Sequence, residues 1–235
     1  MQSQKYVLAQ RQLDPIERYA PFFFKLSVYG FLSVFFYQAA ITFYEYQPGM
    51  HWPSFLSVFR TFTFLPLHEG GHFLFSFFGR TLYILGGSFW QIMFPLFWFL
   101  IAAKQRSHVA PFALFWVGEN IMDVSLYVRD AQFRALPLLG GHSSGHDWVN
   151  LLTQWDAMGS AGLIADIMYF GGFVVCIGSI VTGIVLAFVV CFNPNPIQAI
   201  PKPAIIAIER TVEEHLNEAI VKRSSSFGAR WEDMI

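Results

Sequence analysis

The residues with the clearest chemical potential lie at positions 68–72, where the sequence reads His-Glu-Gly-Gly-His. On a helix, residues four positions apart share one face, so His68 and His72 can bind one zinc ion. Glu69 lies one position further round and can reach a water molecule on that ion. Zinc lowers the pKa of such a water to about 7, and a carboxylate base beside it is typical of metal-dependent peptidases. The pattern therefore predicts a zinc site with Glu69 as the general base.

The surroundings of this motif argue against a chance match. The motif lies inside residues 61–78, a run that is otherwise almost purely apolar. An ionisable residue at the centre of a membrane helix costs about 2.5–3.5 kcal/mol on insertion scales. Three polar residues together in such a run therefore indicate a function.

With an HExxH motif inside an apolar helix, the sequence resembles the site-2-protease-like family of intramembrane zinc metallopeptidases. The resemblance rests on His68, Glu69 and His72 and on the apolar segments that follow. It implies that the histidines bind zinc, that the glutamate is the catalytic base, and that an aspartate from a later membrane helix is the third ligand. The family's Leu-Asp-Gly pattern is absent from this sequence. The third ligand must therefore be sought among other residues.

The fourth apolar segment offers the first choice for that ligand. It carries Asp123, with Glu119 and Asn120 nearby on the same segment. Carboxylates inside a membrane helix usually serve a function. We expect Asp123 to bind the metal, and Glu119 and Asn120 to orient ligands or gate access. The competing interpretation is a polar seam paired with Arg129 or Arg134.

The loop after that segment offers alternatives. It contains His142, His146, Asp147 and Trp148. His146 or Asp147 could fold back onto the zinc, and Asp147 could instead accept a hydrogen bond from a zinc-bound imidazole. We assign His142 to an orienting or gating role. The competing interpretation is an interfacial loop with solvated histidines, anchored by Trp148.

Composition predicts a membrane protein. Of the 235 residues, 54% are apolar and only 13% are charged, whereas about a quarter of a soluble domain is charged. A soluble protein of this size could not bury so much apolar surface. The net charge is −1 and no Lys/Arg tract is present, so nucleic-acid binding is not expected. We predict an all-α, multi-pass integral membrane protein in contact with the lipid bilayer.

Five segments approach or exceed the length of about 20 residues that a helix needs to cross hydrocarbon. They are residues 21–43, 61–78, 81–103, 109–128 and 162–192. Both tails carry Lys and Arg, which favours placing the two tails on the same side of the membrane. Five spans would instead place them on opposite sides. We therefore predict about five to six membrane segments. Either residues 81–103 form a re-entrant hairpin or the loop 131–160 enters the membrane.

The chain divides into three parts by composition. Residues 1–20 form an N-terminal tail, without the pattern of a cleavable signal. Residues 21–192 form the membrane domain, with its motif helix at 61–78 and a polar loop at 131–160. Residues 193–235 are predicted to contain an amphipathic helix and a loose tail.

Three functions fit these features. The first is a membrane-embedded zinc metallopeptidase that hydrolyses membrane-anchored proteins or peptides. The second is a non-catalytic subunit with a structural metal, docked on partner membrane subunits. The third is a tetrapyrrole-binding protein, because histidines in membrane helices are ordinary axial ligands. Glu69 beside the histidine pair fits that third function poorly.

Overall fold

The computed structural model describes residues 15–45, 54–136 and 145–192. The chain divides into two units, residues 1–189 and 190–235, and the description below concerns the first. The predicted C-terminal amphipathic helix lies outside the described residues.

The described residues are helical and contain no strand, which confirms the prediction of an all-α fold. Short turns connect the helices where the connection is described. The α-helices are α1 (Pro15–Tyr44), α2 (Ser54–Phe59), α3 (Leu65–Phe75), α4 (Arg80–Lys104), α5 (Ala110–Asp130), α6 (Asp147–Gln154) and α7 (Ala161–Phe192). A π-helical turn, Arg60–Phe64, precedes α3, and 3-10 turns lie at Ser76–Phe78 and Met158–Ser160.

Three of these helices are long and apolar enough to cross a membrane. They correspond to Tyr19–Tyr44, Arg80–Lys104 and Met158–Phe192. Many of their phenylalanine, leucine and valine side chains are exposed, as expected of surfaces that contact lipid. These helices indicate a membrane protein. The larger number of five to six segments stays a prediction.

Two of the predicted segments differ in detail from the structure. Residues 61–78 form a π-helical turn, α3 and a 3-10 turn in succession. Pro66 lies in the first turn of α3, where its missing N–H cannot continue the hydrogen-bond pattern of the preceding turn. Residues 81–103 lie within the unbroken helix α4, although it contains Pro95. The re-entrant hairpin that we considered there is therefore not formed.

Helices α3 and α4 approach closely because glycines face one another. A Cβ atom added to Gly71 would lie 2.2 Å from the carbonyl oxygen of Gly86. A Cβ on Gly86 would in turn lie 2.7 Å from the Cβ atom of Phe75. Small residues let membrane helices approach to backbone contact. This contact brings α4 against the helix that carries the HExxH motif.

Helix α5 is central and is buried on nearly every side. It packs against α1, α4 and α6, and Gly118 meets Gly172 of α7 at backbone distance. Its polar side chains Glu119, Asn120 and Asp123 are therefore enclosed by protein. Burial among other helices is the usual location of ionisable groups in membrane proteins.

The glycine contact between α3 and α4 can be tested by adding one methyl group. Gly71→Ala should destabilise the protein by about 1–3 kcal/mol, because the new Cβ would overlap the backbone of α4. Gly70→Ala is the matched control, since a Cβ there meets nothing within 4 Å. Thermal unfolding in detergent should show a lower Tm for Gly71→Ala alone. Equal Tm values for the two variants would contradict the close contact.

Candidate metal centre

Three side chains that can bind a metal converge between α3 and the start of α6. The Nε2 atoms of His68 and His72 lie 2.8 Å and 3.1 Å from the same carboxylate oxygen, Oδ2 of Asp147. One potential ligand atom from each residue lies within 4.8 Å of the others. His68 and Asp147 are buried and His72 is nearly so. Two imidazoles and a carboxylate form a typical ligand set for a transition metal.

Hydrogen bonds set the tautomer of each imidazole. His72 places Nδ1 2.8 Å from the carbonyl oxygen of Tyr83. A carbonyl oxygen can only accept, so Nδ1 of His72 carries the proton. His68 places Nδ1 3.1 Å from Oε1 of Gln91, which likewise accepts. Both Nε2 atoms are therefore left with a free lone pair directed at Asp147.

The orientation of Gln91 is set by a second carboxylate. Its Nε2 donates to Oδ2 of Asp123 at 2.8 Å, so its Oε1 faces His68. Arg60 donates from Nε to the other oxygen of Asp123 at 2.7 Å. A continuous series of hydrogen bonds thus runs from Arg60 through Asp123 and Gln91 to His68. Such bonds to the distal ring nitrogen orient metal-binding histidines and raise their basicity.

The convergence of these groups requires a cation. Two lone pairs and a carboxylate oxygen face one another at short distance, and no hydrogen lies between them when both imidazoles are neutral. A proton on one imidazole or a metal ion among all three would relieve their repulsion. Burial acts to raise the pKa of Asp147, but a proton on Nε2 of His68 or His72 would donate to its carboxylate, and these neighbours hold that pKa below its ordinary value.

Gly87 on α4 leaves space for an ion at this point. A Cβ atom added there would lie 2.7 Å from Nε2 of His72 and 2.8 Å from Nε2 of His68. Zinc binds imidazole nitrogens at about 2.0–2.1 Å. A methyl group on residue 87 would therefore occupy or crowd the volume that the ion needs. The absence of a side chain at Gly87 keeps that volume open.

A buried cluster of side chains positions Asp147 beside the two histidines. Asp130 ends α5 and accepts hydrogen bonds from the backbone N–H groups of Ala135 and Leu136. It also lies 3.2 Å from Nε2 of His146, and both side chains are fully buried. The Nδ1 atom of His146 accepts from the N–H of Val149 and caps α6. The first residue of α6, Asp147, is thereby fixed beside the histidines.

Some of the predicted site residues lie in the three-residue group and others lie outside it. Glu69 follows His68 on α3 and is exposed. Asp123 lies outside the three-residue group and contacts it through Gln91, because Arg60 and Gln91 engage its carboxylate. Asp147, an alternative third ligand, is in the group, whereas His146 binds Asp130 instead. His142 lies outside the described residues.

The hydrogen-bond contacts of Glu119 and Asn120 are with other residues. Glu119 faces Cys176 of α7, and Asn120 donates to the carbonyl of Trp116 one turn earlier. The second carboxylate oxygen of Glu119 and the amide oxygen of Asn120 have no hydrogen-bond partner among the described residues. No contact with the histidines supports an orienting role for them.

Four residues of the centre carried little signal in the sequence. Gln91 and Gly87 lie in an apolar segment and belong to no metal-binding motif. Tyr83 contributes only its backbone carbonyl, which any residue has. Arg60 lies just before the apolar run of residues 61–78. Their roles depend on the contact between α3 and α4, which no local pattern reveals.

Comparison with known proteins gave no match. No family model, curated protein or solved structure matches the chain. The resemblance to site-2-protease-like peptidases therefore rests on His68, Glu69 and His72 of the motif helix.

A methyl group at residue 87 should prevent metal binding at this centre. We expect Gly87→Ala to lower the zinc content of the purified protein at least about 10-fold, because its methyl group would lie against both Nε2 atoms. Gly171→Ala on α7 is the control, since a Cβ there meets nothing within 4 Å. Elemental analysis of both variants checks this expectation. Full zinc occupancy of Gly87→Ala would show that the ion does not bind at these nitrogens.

Loss of the hydrogen bond to His68 should weaken metal binding without abolishing it. Gln91→Leu removes the acceptor for Nδ1 of His68, so we expect zinc affinity to fall about 10–100-fold. Gln105→Leu is the control, because Gln105 lies exposed just after the same helix. Competition with a chromophoric chelator measures both affinities. An unchanged affinity would mean that Gln91 does not orient the ligand.

Proposed function

We propose that this protein is a membrane-embedded zinc metallopeptidase that hydrolyses peptide bonds of membrane-anchored proteins or peptides. The observation that carries the proposal is the convergence of two tautomer-fixed imidazoles and one carboxylate around a space kept open by a glycine. His68, His72 and Asp147 would be the metal ligands. Two histidines and a carboxylate leave one position open, which distinguishes catalytic from structural zinc sites.

The chemistry of the donors supports zinc. Two imidazoles and one carboxylate are a ligand set of catalytic zinc sites, and a glutamate next to the first histidine is typical of zinc peptidases. A bound Zn²⁺ would lower the pKa of a water molecule and polarise a substrate carbonyl.

Glu69 supplies the base for this reaction. It follows His68 directly on α3 and its side chain is exposed, so its carboxylate is accessible to a substrate and water. It would accept a proton from the attacking water and later transfer that proton to the leaving amine. Neither ligand histidine could do so, because Nδ1 of each is hydrogen-bonded to an acceptor and Nε2 faces the metal position.

A membrane location fits the helices around the centre. Gln91, Gly87 and the carbonyl of Tyr83 all come from α4, one of the three helices that could span a membrane. Exposed phenylalanines flank the motif helix on its outer side, among them Phe73 and Phe62. We infer a multi-pass integral protein whose substrate approaches from the lipid phase. The bilayer and a membrane-anchored substrate would then be its partners.

The geometry favours this function over the two alternatives. A tetrapyrrole needs its axial histidine to face a broad flat space, whereas both Nε2 atoms here face Asp147 within 3.1 Å. A non-catalytic subunit with a structural metal would not need an exposed glutamate beside an open coordination position. Docking on partner membrane subunits through residues 193–235 would be a property of such a non-catalytic subunit.

Replacing the base and the ligand separately tests the proposal. Wild-type protein should contain about one zinc ion per chain and cleave fluorescein-labelled casein in detergent. Glu69→Gln should keep the zinc and lose cleavage by about 100-fold or more, because the amide cannot accept the proton. His72→Ala should lose both.

Glu45→Gln is the matched control for Glu69→Gln, since Glu45 lies at the end of α1, outside the metal centre. It should cleave casein at the wild-type rate. A Glu69→Gln variant that cleaves at that same rate would refute Glu69 as the base. A wild-type protein without any metal would refute the zinc centre itself.

A further inference from the structure

Tyr127 on α5 has a side chain that is fixed beside the metal centre. Its ring packs edge-on against His68, with ring centroids 5.5 Å apart. It also stacks on the ring of His146, with centroids 4.3 Å apart and an interplanar angle of 23°. Contacts on two sides hold the ring, and therefore the hydroxyl group, in one position.

The hydroxyl of Tyr127 has an unused proton. Its oxygen accepts a hydrogen bond from the backbone N–H of Asp147 at 3.2 Å. A phenolic hydroxyl can also donate one hydrogen bond. Within the described parts of the chain, no acceptor for that proton lies at hydrogen-bond distance. A buried donor without an acceptor is unfavourable, so the missing acceptor suggests a bound molecule.

The surroundings of this hydroxyl point to the substrate as that molecule. The hydroxyl is hydrogen-bonded to the backbone N–H of Asp147, the proposed third metal ligand. The carboxylates of Asp147 and Glu69 both interact with it electrostatically. A peptide carbonyl that approached His68 and Asp147 from the side of α5 could therefore accept its proton. A donor that is already oriented where negative charge develops lowers the barrier without reorganisation.

We propose that Tyr127 is a catalytic residue, whose hydroxyl stabilises the oxyanion of peptide hydrolysis. The inference rests on the proposed peptidase function. The water oxygen bonds to the carbonyl carbon, a water proton passes to Glu69, and the carbonyl π electrons move onto oxygen. That oxygen accepts the hydrogen bond from Tyr127. The electrons then re-form the C=O bond, the C–N bond breaks, and Glu69 returns its proton to the departing nitrogen.

Tyr127→Phe tests this role in the full-length, zinc-loaded protein. We expect kcat for labelled casein to fall about 100-fold, with KM and zinc content unchanged. Tyr169→Phe is the matched control, because Tyr169 is a buried tyrosine whose hydroxyl donates to the carbonyl of Ala40. Wild-type kcat in Tyr127→Phe would overturn the inference. Loss of zinc from that variant would also overturn it, because the hydroxyl would then only support Asp147.

A binding measurement separates this inference from the proposed function. An N-phosphoryl dipeptide carries a tetrahedral anion like the oxyanion, so Tyr127→Phe should bind it at least about 10-fold more weakly than wild type. Equal affinity would overturn the role of Tyr127 alone. A zinc-loaded wild type that neither cleaves casein nor binds the phosphoryl dipeptide would overturn the peptidase function together with this inference.

Discussion

The structure depends on how the buried polar side chains around the HExxH motif are paired in an otherwise apolar protein. His68, Gln91, Asp123 and Arg60 form one hydrogen-bonded series across α3, α4, α5 and the π-helical turn. In such surroundings an unpaired donor or acceptor is costly, while a fully paired series fixes the orientation of each member. The series ends at an imidazole nitrogen whose lone pair has no hydrogen to bind. The same requirement that stabilises the interior therefore leaves one point where a cation is needed.

The close approach of α3 and α4 is the second condition for this arrangement. Gly71 and Gly86 allow backbone contact, and only at that distance can the carbonyl of Tyr83 reach His72. Gly87 follows directly and faces the two Nε2 atoms. Gly71 and Gly86 thus permit the helix contact, and Gly87 leaves an open volume next to it. Asp147 completes the centre from the other side, held by the pair of Asp130 and His146.

The sequence alone predicted the long apolar helices and the face shared by the two histidines of the HExxH motif. Apolar length predicted α1, α4 and α7, and four-residue spacing placed His68 and His72 on one face. The sequence ranked Asp123 above Asp147 because a carboxylate within an apolar segment is unusual. The structure pairs Asp123 with Arg60 instead, a contact between residues 63 positions apart. Periodicity describes one helix at a time, so it could not reveal which of two carboxylates reaches the histidines.

The position of Asp147 also bears on how the centre assembles. The contact of His68 with Gln91 joins residues 23 positions apart, whereas its contact with Asp147 joins residues 79 positions apart. Closing the longer loop has the larger entropic cost, and Asp147 follows Gln91 in the order of synthesis. During synthesis the two histidines would therefore be oriented while the carboxylate is still absent. The three side chains therefore meet only in a chain that has brought α6 against α3, so their convergence requires complete folding.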